Sequence, residues 1–192
     1  MQIGILALQG GYQAHANCVN ALGVSTRFVR KKEDFTDIDG LILPGGESST
    51  LLKLIETFDL VSALKDFQAK KKPIYGTCAG MILLAKTVVP QQFSLGAIDI
   101  SVARNAYGRQ IDSFIAMSDA IESPDFGCAQ MECVFIRAPR VQSVGEGVTT
   151  LLRYRAEPIL VRQDHILAGS FHPELSQDRA VHQYFLAMIS AS

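Results

Sequence analysis

The chain has 192 residues, of which 48% are apolar and 19% are charged, a composition that excludes a disordered chain or a coiled coil. Its 18 basic and 19 acidic residues give a net charge of −1, so there is no overall positive field to hold nucleic acid or an anionic membrane. The length predicts one domain over residues 1–192, large enough to bury an apolar core without disulfides or metals.

The sequence predicts neither export nor insertion into a membrane. Residues 1–26 carry no formal charge, but they lack the positive start and the long apolar stretch of a signal peptide. The uncharged segment Pro73–Ala85 is too short for a bilayer span and contains two glycines. The four cysteines include no C-x-x-C pair, which favours free thiols and a cytoplasmic location.

Strand-like and helical patterns alternate through the first half of the chain, with a polar connection over Lys31–Asp39. This alternation predicts a three-layer α/β sandwich, in which a mostly parallel central sheet has helices on both faces. The predicted strands are Gln2–Leu8, Thr26–Val29, Gly40–Leu43 and Pro73–Thr77. The predicted helices are Tyr12–Leu22, Ser49–Phe58 (with Ser48 or Ser49 as N-cap), Leu60–Lys70 and Ala79–Lys86.

The second half is dominated by short apolar runs separated by turn residues, and it ends with a helix over Asp178–Ile189. Such runs predict antiparallel strands added to one edge of the sheet. They are Ile98–Val102, Ile111–Ile115, Cys133–Ile136, Leu151–Tyr154, Ile159–Gln163 and Ile166–Phe171.

The pentapeptide Gly76–Gly80, with sequence GTCAG, joins a predicted strand to a predicted helix. This is the context of a nucleophile elbow, a sharp turn that exposes the central side chain. Cys78 would then lie at a helix N-terminus, where the helix dipole favours a thiolate, and the N–H of Ala79 would face a tetrahedral oxyanion. A small buried cysteine in a glycine-rich turn is the alternative interpretation.

The sequence His172-Pro173-Glu174 follows the last predicted strand. Because the residue before a proline favours extended geometry, the side chains of His172 and Glu174 would point the same way. The imidazole could act as a base for the Cys78 thiol while the carboxylate orients it, as in a catalytic triad. Both motifs end strands, so a parallel sheet would bring them to one edge. A surface turn is the alternative.

The segment Pro44–Ser48, with sequence PGGES, ends a third predicted strand just before a helix. Two glycines in this position can present backbone N–H groups to an anion. The missing G-K-[ST] excludes a Walker phosphate loop. The segment is therefore interpreted as a phosphate-binding turn of another kind, as a second oxyanion donor with a substrate cradle, or as a plain turn.

Together these segments resemble class I, triad-type glutamine amidotransferases, and in detail the glutaminase subunits of two-component pyridoxal 5′-phosphate synthases. The triad motifs specify only the superfamily. The PGGES sequence of Pro44–Ser48 and the FIRAP sequence of Phe135–Pro139 narrow the resemblance to these subunits. The resemblance spans nearly the whole chain in order. The matching segments are Leu8–Gly10, Gly40–Thr50, Gly76–Gly80, Arg104-Asn105, Gly108–Gln110, Phe135–Pro139 and Ser170–Glu174.

The resemblance implies a glutaminase that hydrolyses L-glutamine to L-glutamate and ammonia through a glutamyl thioester. Cys78 would be the nucleophile, His172 the base and later the acid, and Glu174 the orienting carboxylate. Amide hydrolysis also needs oxyanion donors, which the backbone N–H groups of Gly46 and Ala79 could supply, and it needs no cofactor or metal. The implied glutamine-binding residues are Gly46, Glu47, Ser48, Arg104, Ile136 and Arg137.

The resemblance also implies a partner, a (β/α)₈-barrel synthase subunit that uses the ammonia to build pyridoxal 5′-phosphate. The alternatives are the glutaminase subunit of another amidotransferase, a stand-alone cysteine hydrolase of similar fold, and a non-catalytic regulator on this scaffold. The remaining histidines, His15, His165 and His182, show no metal-ligand spacing and are interpreted as structural or surface residues. His15 is also a candidate for the mouth of the site or the partner surface.

Overall fold

The computed structural model describes residues 1–104, 113–121 and 124–190. Its helices are α1 (Tyr12–Ala21), α2 (Ser48–Thr57), α3 (Val61–Ala69), α4 (Ala79–Leu84) and α5 (Ala180–Ser190). Its strands are β1 (Gln2–Leu6), β2 (Ser25–Val29), β3 (Gly40–Leu43), β4 (Ile74–Thr77), β5 (Ala85–Val89), β6 (Ile98–Ala103), β7 (Ser113–Met117), β8 (Glu132–Ile136), β9 (Arg140–Val144), β10 (Thr149–Tyr154), β11 (Glu157–Gln163) and β12 (Ile166–Gly169).

A seven-stranded sheet forms the centre of the described chain, in the order β10-β11-β12-β4-β3-β1-β2. The five strands from β12 to β2 are parallel, whereas β11 is antiparallel to β12, and β10 is antiparallel to β11. The register pairs Thr77 with Gly169 at the carboxyl ends of β4 and β12. The residues that follow these two strands therefore emerge side by side.

Apolar side chains alternate across this sheet and build two cores. Leu41 and Leu43 of β3 pack with α2, α3 and α4, whereas Ile42 between them packs with α1 and α5. Successive residues of a strand face opposite sides, so a short all-apolar run such as this one fills both cores. The predicted three-layer α/β architecture is confirmed.

Two strands were not predicted from the sequence. The helix predicted over Ala79–Lys86 ends at Leu84, and β5 begins at the next residue. The β-branched residues from Thr87 to Val89 favour an extended chain over a further helical turn, which explains this difference. The strand β9 was also missed. It pairs with β6, and together β5, β6 and β9 form a separate three-stranded sheet.

The predicted placement of the C-terminal strands at one edge is only partly right. Only β10 and β11 extend the edge as antiparallel strands, whereas β7 and β8 form a separate antiparallel pair. The prediction that β12 is antiparallel at the edge was wrong, since β12 lies inside the sheet and parallel to β4. All its residues are buried, as an interior parallel strand requires. Of the predicted strand Ile111–Ile115, residues 111 and 112 lie outside the described residues.

Candidate active site

The turn after β4 places Cys78 in a strained backbone conformation. Its φ of 48° and ψ of −104° are unusual for a residue with a side chain, and its N–H donates to the carbonyl of Gly169, 2.8 Å away. The flanking glycines allow close packing, because a Cβ at Gly80 would lie 2.0 Å from the carbonyl oxygen of Leu43. The segment thus has the geometry of a nucleophile elbow.

His172 and Glu174 lie next to this elbow, at the end of the neighbouring strand. Nδ1 of His172 lies 2.7 Å from Oε1 of Glu174, and both side chains are buried. The backbone N–H of His172 donates to the carbonyl of Val134 in β8, which fixes the chain beyond β12. Because Nδ1 is held by the carboxylate, Nε2 is the ring nitrogen left to serve Cys78, whose Sγ lies 3.9 Å from the carbonyl oxygen of Ile136. The structure brings all three residues together.

The electrostatics of this cluster favour a charged imidazole. Burial alone would lower the pKa of His172, but hydrogen bonds with Cys78 and Glu174, together with their negative charge, raise it to about 10. Burial would raise the pKa of Glu174, but the adjacent imidazoles of His15 and His172 lower it to about 2. The imidazole next to Cys78 is therefore held in its cationic form.

A cavity of about 360 Å³ opens above these three residues. Its wall includes five of the six residues implied to bind glutamine, all except Arg104. They come from the loop after β3 with the first residue of α2, and from the end of β8 with the residue after it, Arg137, which adopts a positive φ of 45°. These five residues are Gly46, Glu47, Ser48, Ile136 and Arg137.

Arg104 is not among the residues of the described cavity wall but contacts one of them. Its Nη1 donates to Oε1 of Gln92 and lies 3.3 Å from Oγ of Ser48. Arg104 therefore braces the PGGES segment, whereas the guanidinium of Arg137 is exposed at the cavity itself. Asn105 and the segment Gly108–Gln110, which matched the family pattern, lie outside the described residues.

The N-cap of α2 is Glu47, so the prediction of Ser48 or Ser49 was wrong. A carboxylate oxygen of Glu47 accepts from the backbone N–H of Thr50 at 2.6 Å. The carboxylate of Glu47 thus accepts from a backbone N–H of the first helical turn, the hydrogen bond that a serine hydroxyl makes at many N-caps. Burial would raise the pKa of Glu47, but hydrogen bonds from Thr50 and Ser49 lower it.

Gln9 supports the same loop, a contact that sequence reasoning did not identify. Its Nε2 donates to the carbonyl of Glu47 at 2.9 Å, and a Cβ at Gly46 would lie 2.8 Å from this nitrogen. Gly10 allows equally close packing, since a Cβ there would lie 1.8 Å from the carbonyl oxygen of Gly45. The sequence signal for this contact was the match of Leu8–Gly10 to the family pattern.

His15 and His182 form a buried pair on the far side of Glu174. Nδ1 of His15 lies 3.0 Å from Nε2 of His182, and Nε2 of His15 lies 3.3 Å from Oε2 of Glu174. Both histidines are fully buried, so they are not surface residues. The helical spacing of His15 with the buried Cys18 and Val19 was the signal that could have found this burial.

Acid stability tests the burial of these imidazoles. Burial and the neighbouring His15 lower the pKa of His182 to about 3. Below about pH 6.5 the unfolded chain binds a proton that the folded chain excludes. The free energy of unfolding therefore decreases as the pH is lowered, by about 1.4 kcal/mol per pH unit for one such histidine. We therefore expect the urea midpoint of His182→Gln to fall less between about pH 7 and pH 5 than that of the unmodified chain.

The matched control for this experiment is Gln183→Ala, an exposed substitution on the same helix. It removes no titrating group, so its midpoint should follow that of the unmodified chain at every pH. Equal pH slopes for His182→Gln and the unmodified chain would show that His182 titrates normally.

Comparison with known proteins decides the family. Residues 5–191 match the model of the SNO glutamine amidotransferase family. The chain belongs to this family. A relative from Thermosipho africanus is 46% identical over 191 residues, covering 98% of this chain and 99% of the relative. One from Desulforudis audaxviator is 47% identical over 190 residues, with 98% and 99% covered. Both are named pyridoxal 5′-phosphate synthase subunit PdxT.

A solved structure agrees with this assignment. A crystal structure of a glutamine amidotransferase has a TM-score of 0.89 and 41% identity, covering 98% of each chain. This member of the SNO glutamine amidotransferase family thus shares both fold and sequence with a known amidotransferase.

Among the described residues, no cluster of histidine, cysteine and carboxylate side chains is arranged to hold a metal. No described helix is long and apolar enough to cross a membrane.

Proposed function

We propose that this chain is a glutaminase that hydrolyses L-glutamine to L-glutamate and ammonia through a Cys78–His172–Glu174 triad. The observation that carries the proposal is the His172–Glu174 hydrogen bond next to Cys78 in the wall of one cavity, in a member of a glutamine amidotransferase family. Residues 1–192 act as a single amidotransferase domain. The four free cysteines fit a reducing, cytoplasmic compartment.

In the first step, Sγ of Cys78 attacks the side-chain amide carbon of glutamine. The carbonyl oxygen becomes an oxyanion, which the backbone N–H groups of Gly46 and Ala79 stabilise. His172 gives its proton to the amide nitrogen, the C–N bond breaks, and ammonia leaves behind a glutamyl thioester on Cys78. Glu174 holds the imidazole in position through Nδ1.

In the second step, water attacks the thioester carbon. His172, now neutral, takes one proton from this water, and the thiolate leaves as the γ-carboxyl group of L-glutamate forms and gives its remaining proton to solvent. The imidazolium and thiolate are thereby restored, so the reaction consumes one glutamine and one water for each ammonia and glutamate. No oxidant, metal or cofactor enters the balance.

The zwitterionic end of glutamine needs a cation and an acceptor. The guanidinium of Arg137 lines the cavity and is exposed, so it is placed to pair with the α-carboxylate. Glu47 lines the cavity as an acceptor for the α-ammonium group, although its carboxylate also caps α2. Arg104 acts from behind Ser48, and Gly46 and Ile136 complete the wall.

The ammonia is passed to a pyridoxal 5′-phosphate synthase partner, a (β/α)₈-barrel subunit with lyase chemistry. The names of the relatives support this step. So does the chemistry, because ammonia released into neutral water is protonated and no longer nucleophilic. We expect weak glutaminase activity from the isolated chain and a rise of roughly tenfold or more with the partner, a typical size for coupling between two sites.

The test measures ammonia release from glutamine as the synthase subunit of the same organism is titrated in. A matched control replaces it with an unrelated (β/α)₈ barrel, which should leave the rate unchanged. Full activity without the partner would remove the coupling but leave the glutaminase proposal intact. No ammonia release under either condition would contradict the glutaminase proposal itself.

A further inference from the structure

Two buried histidines lie behind the proposed triad and take no part in the mechanism described above. His15 comes from α1 and His182 from α5, and neither is accessible to solvent. Nδ1 of His15 lies 3.0 Å from Nε2 of His182, and Nε2 of His15 lies 3.3 Å from both Oγ1 of Thr77 and Oε2 of Glu174. The two histidines thus extend the polar cluster of the active site through the core.

The second oxygen of Glu174 explains why a donor is needed here. Oε1 binds His172 at 2.7 Å, whereas Oε2 is buried and, within the described chain, no contact to it meets hydrogen-bond geometry. A buried carboxylate oxygen without a donor is costly. Nε2 of His15, at 3.3 Å, is positioned to supply that donor with a small adjustment.

The two possible tautomers of His15 differ in what they present to Glu174. With the proton on Nε2, the ring donates into the space shared by Oε2 of Glu174 and Oγ1 of Thr77, each 3.3 Å away, and Nδ1 accepts from Nε2–H of His182. With the proton on Nδ1, a lone pair on Nε2 would face a carboxylate oxygen at 3.3 Å, which is repulsive. That tautomer would also protonate Nδ1 of His182, a buried atom that has no partner within the described chain. The first tautomer is therefore favoured.

We propose that His15 is a positioning residue that donates its Nε2–H to Oε2 of Glu174 and so holds this carboxylate against His172. His182 fixes the required tautomer by donating to Nδ1 of His15. The result is a continuous chain of polar groups from His182 through His15, Glu174 and His172 to Cys78. This inference rests on the proposed function, because it assigns a role to residues that support its triad.

The groups around His15 agree with a neutral ring. Burial lowers the pKa of His15, against the opposing effect of Glu174, and His172 lowers it further. Tyr75 and His182 pack edge-on or tilted against its ring, and Thr77 contributes only a hydroxyl. On the same helix, the pKa of the Cys18 thiol is raised by burial, so this group is also uncharged. His15 therefore acts as an N–H donor rather than as a cation.

The experiment compares two variants of His15 whose amide groups replace different nitrogens of the imidazole ring. Glutamine places its amide nitrogen near the position of Nε2, whereas asparagine reaches only as far as Nδ1. His15→Gln should therefore retain the donor to Glu174, and His15→Asn should lose it. The rate of Cys78 alkylation by iodoacetamide, followed against pH, reports the Cys78–His172 pair without requiring turnover or the synthase partner.

We expect His15→Asn to slow alkylation at neutral pH and to lower kcat by about tenfold, the effect of losing one charge-assisted hydrogen bond, with KM little changed. His15→Gln should retain most of the alkylation rate and most of kcat. Urea unfolding of each variant identifies any that fails to fold. In the unmodified chain, long-range ¹H–¹⁵N correlation spectra should show a protonated Nε2 and a bare Nδ1 for His15.

Three results would overturn the proposal. These are equal alkylation profiles for His15→Asn and the unmodified chain, equal losses for His15→Asn and His15→Gln, and a His15 protonated at Nδ1. An unmodified chain whose Cys78 resists alkylation and which releases no ammonia would contradict the proposed function instead. Even then, the tautomer of His15 in the unmodified chain still decides the present inference.

Discussion

Replacing Cys78 with alanine should abolish ammonia release from glutamine, with a loss on the order of 10⁴-fold or more, as expected when the nucleophile of a triad is removed. The physical reason is that no other group in the described cavity wall can form the thioester. A glutamine analogue with an electrophilic diazoketone should label Cys78 in the unmodified chain and fail to label the variant. Ammonia release is measured together with the urea midpoint.

The matched control is Cys128→Ser. Cys128 is only partly buried, so its replacement should change neither stability nor ammonia release appreciably. Cys18 and Cys133 are buried and also lie outside the described cavity wall, so serine at these positions should affect folding more than rate. A fully active Cys78→Ala variant would refute the triad.

Replacing His172 with alanine should cost nearly as much as replacing Cys78, because the two residues act as a unit. General acid–base catalysis by a positioned side chain contributes on the order of 10² to 10⁴-fold, and the alanine variant lacks both the acid and the base of the proposed mechanism. Activity and the pH dependence of Cys78 alkylation are measured in parallel. Alkylation of Cys78 at neutral pH should slow together with ammonia release, because the imidazole beside the sulfur is gone.

Glu174→Gln serves as the graded comparison for this experiment. It keeps the side-chain volume but removes the charge that raises the pKa of His172. Its loss of activity should therefore be smaller than that of His172→Ala. If Glu174→Gln were silent while His172→Ala was inactive, another group would have to orient the imidazole.

Local patterns were sufficient to predict the parallel half of the fold. The strand Gly40–Leu43 was predicted to the residue, because an all-apolar tetrapeptide followed by proline and glycine has few other interpretations. The elbow at Cys78 and the position of His172 after a strand were also predicted from neighbours in sequence. These features depend on short-range constraints, which a sequence displays directly.

What escaped prediction depends on contacts between distant parts of the chain. The direction of β12 is set by its pairing with β4, about ninety residues earlier, and a short apolar run carries no sign of that direction. The contact between His15 and His182 joins residues 167 positions apart. Their burial could be inferred from helical spacing, but their proximity to each other and to Glu174 follows only from the folded sheet.

The central claim is that Cys78 carries a glutamyl group during turnover. The direct measurement is mass spectrometry of the chain after acid quenching during glutamine hydrolysis in the presence of the synthase subunit, followed by peptide mapping. We expect the mass of one glutamyl group, linked as a base-labile thioester, on the peptide that contains Cys78, and none in Cys78→Ala. Steady ammonia release with no adduct on Cys78, and undiminished release from Cys78→Ala, would contradict the account.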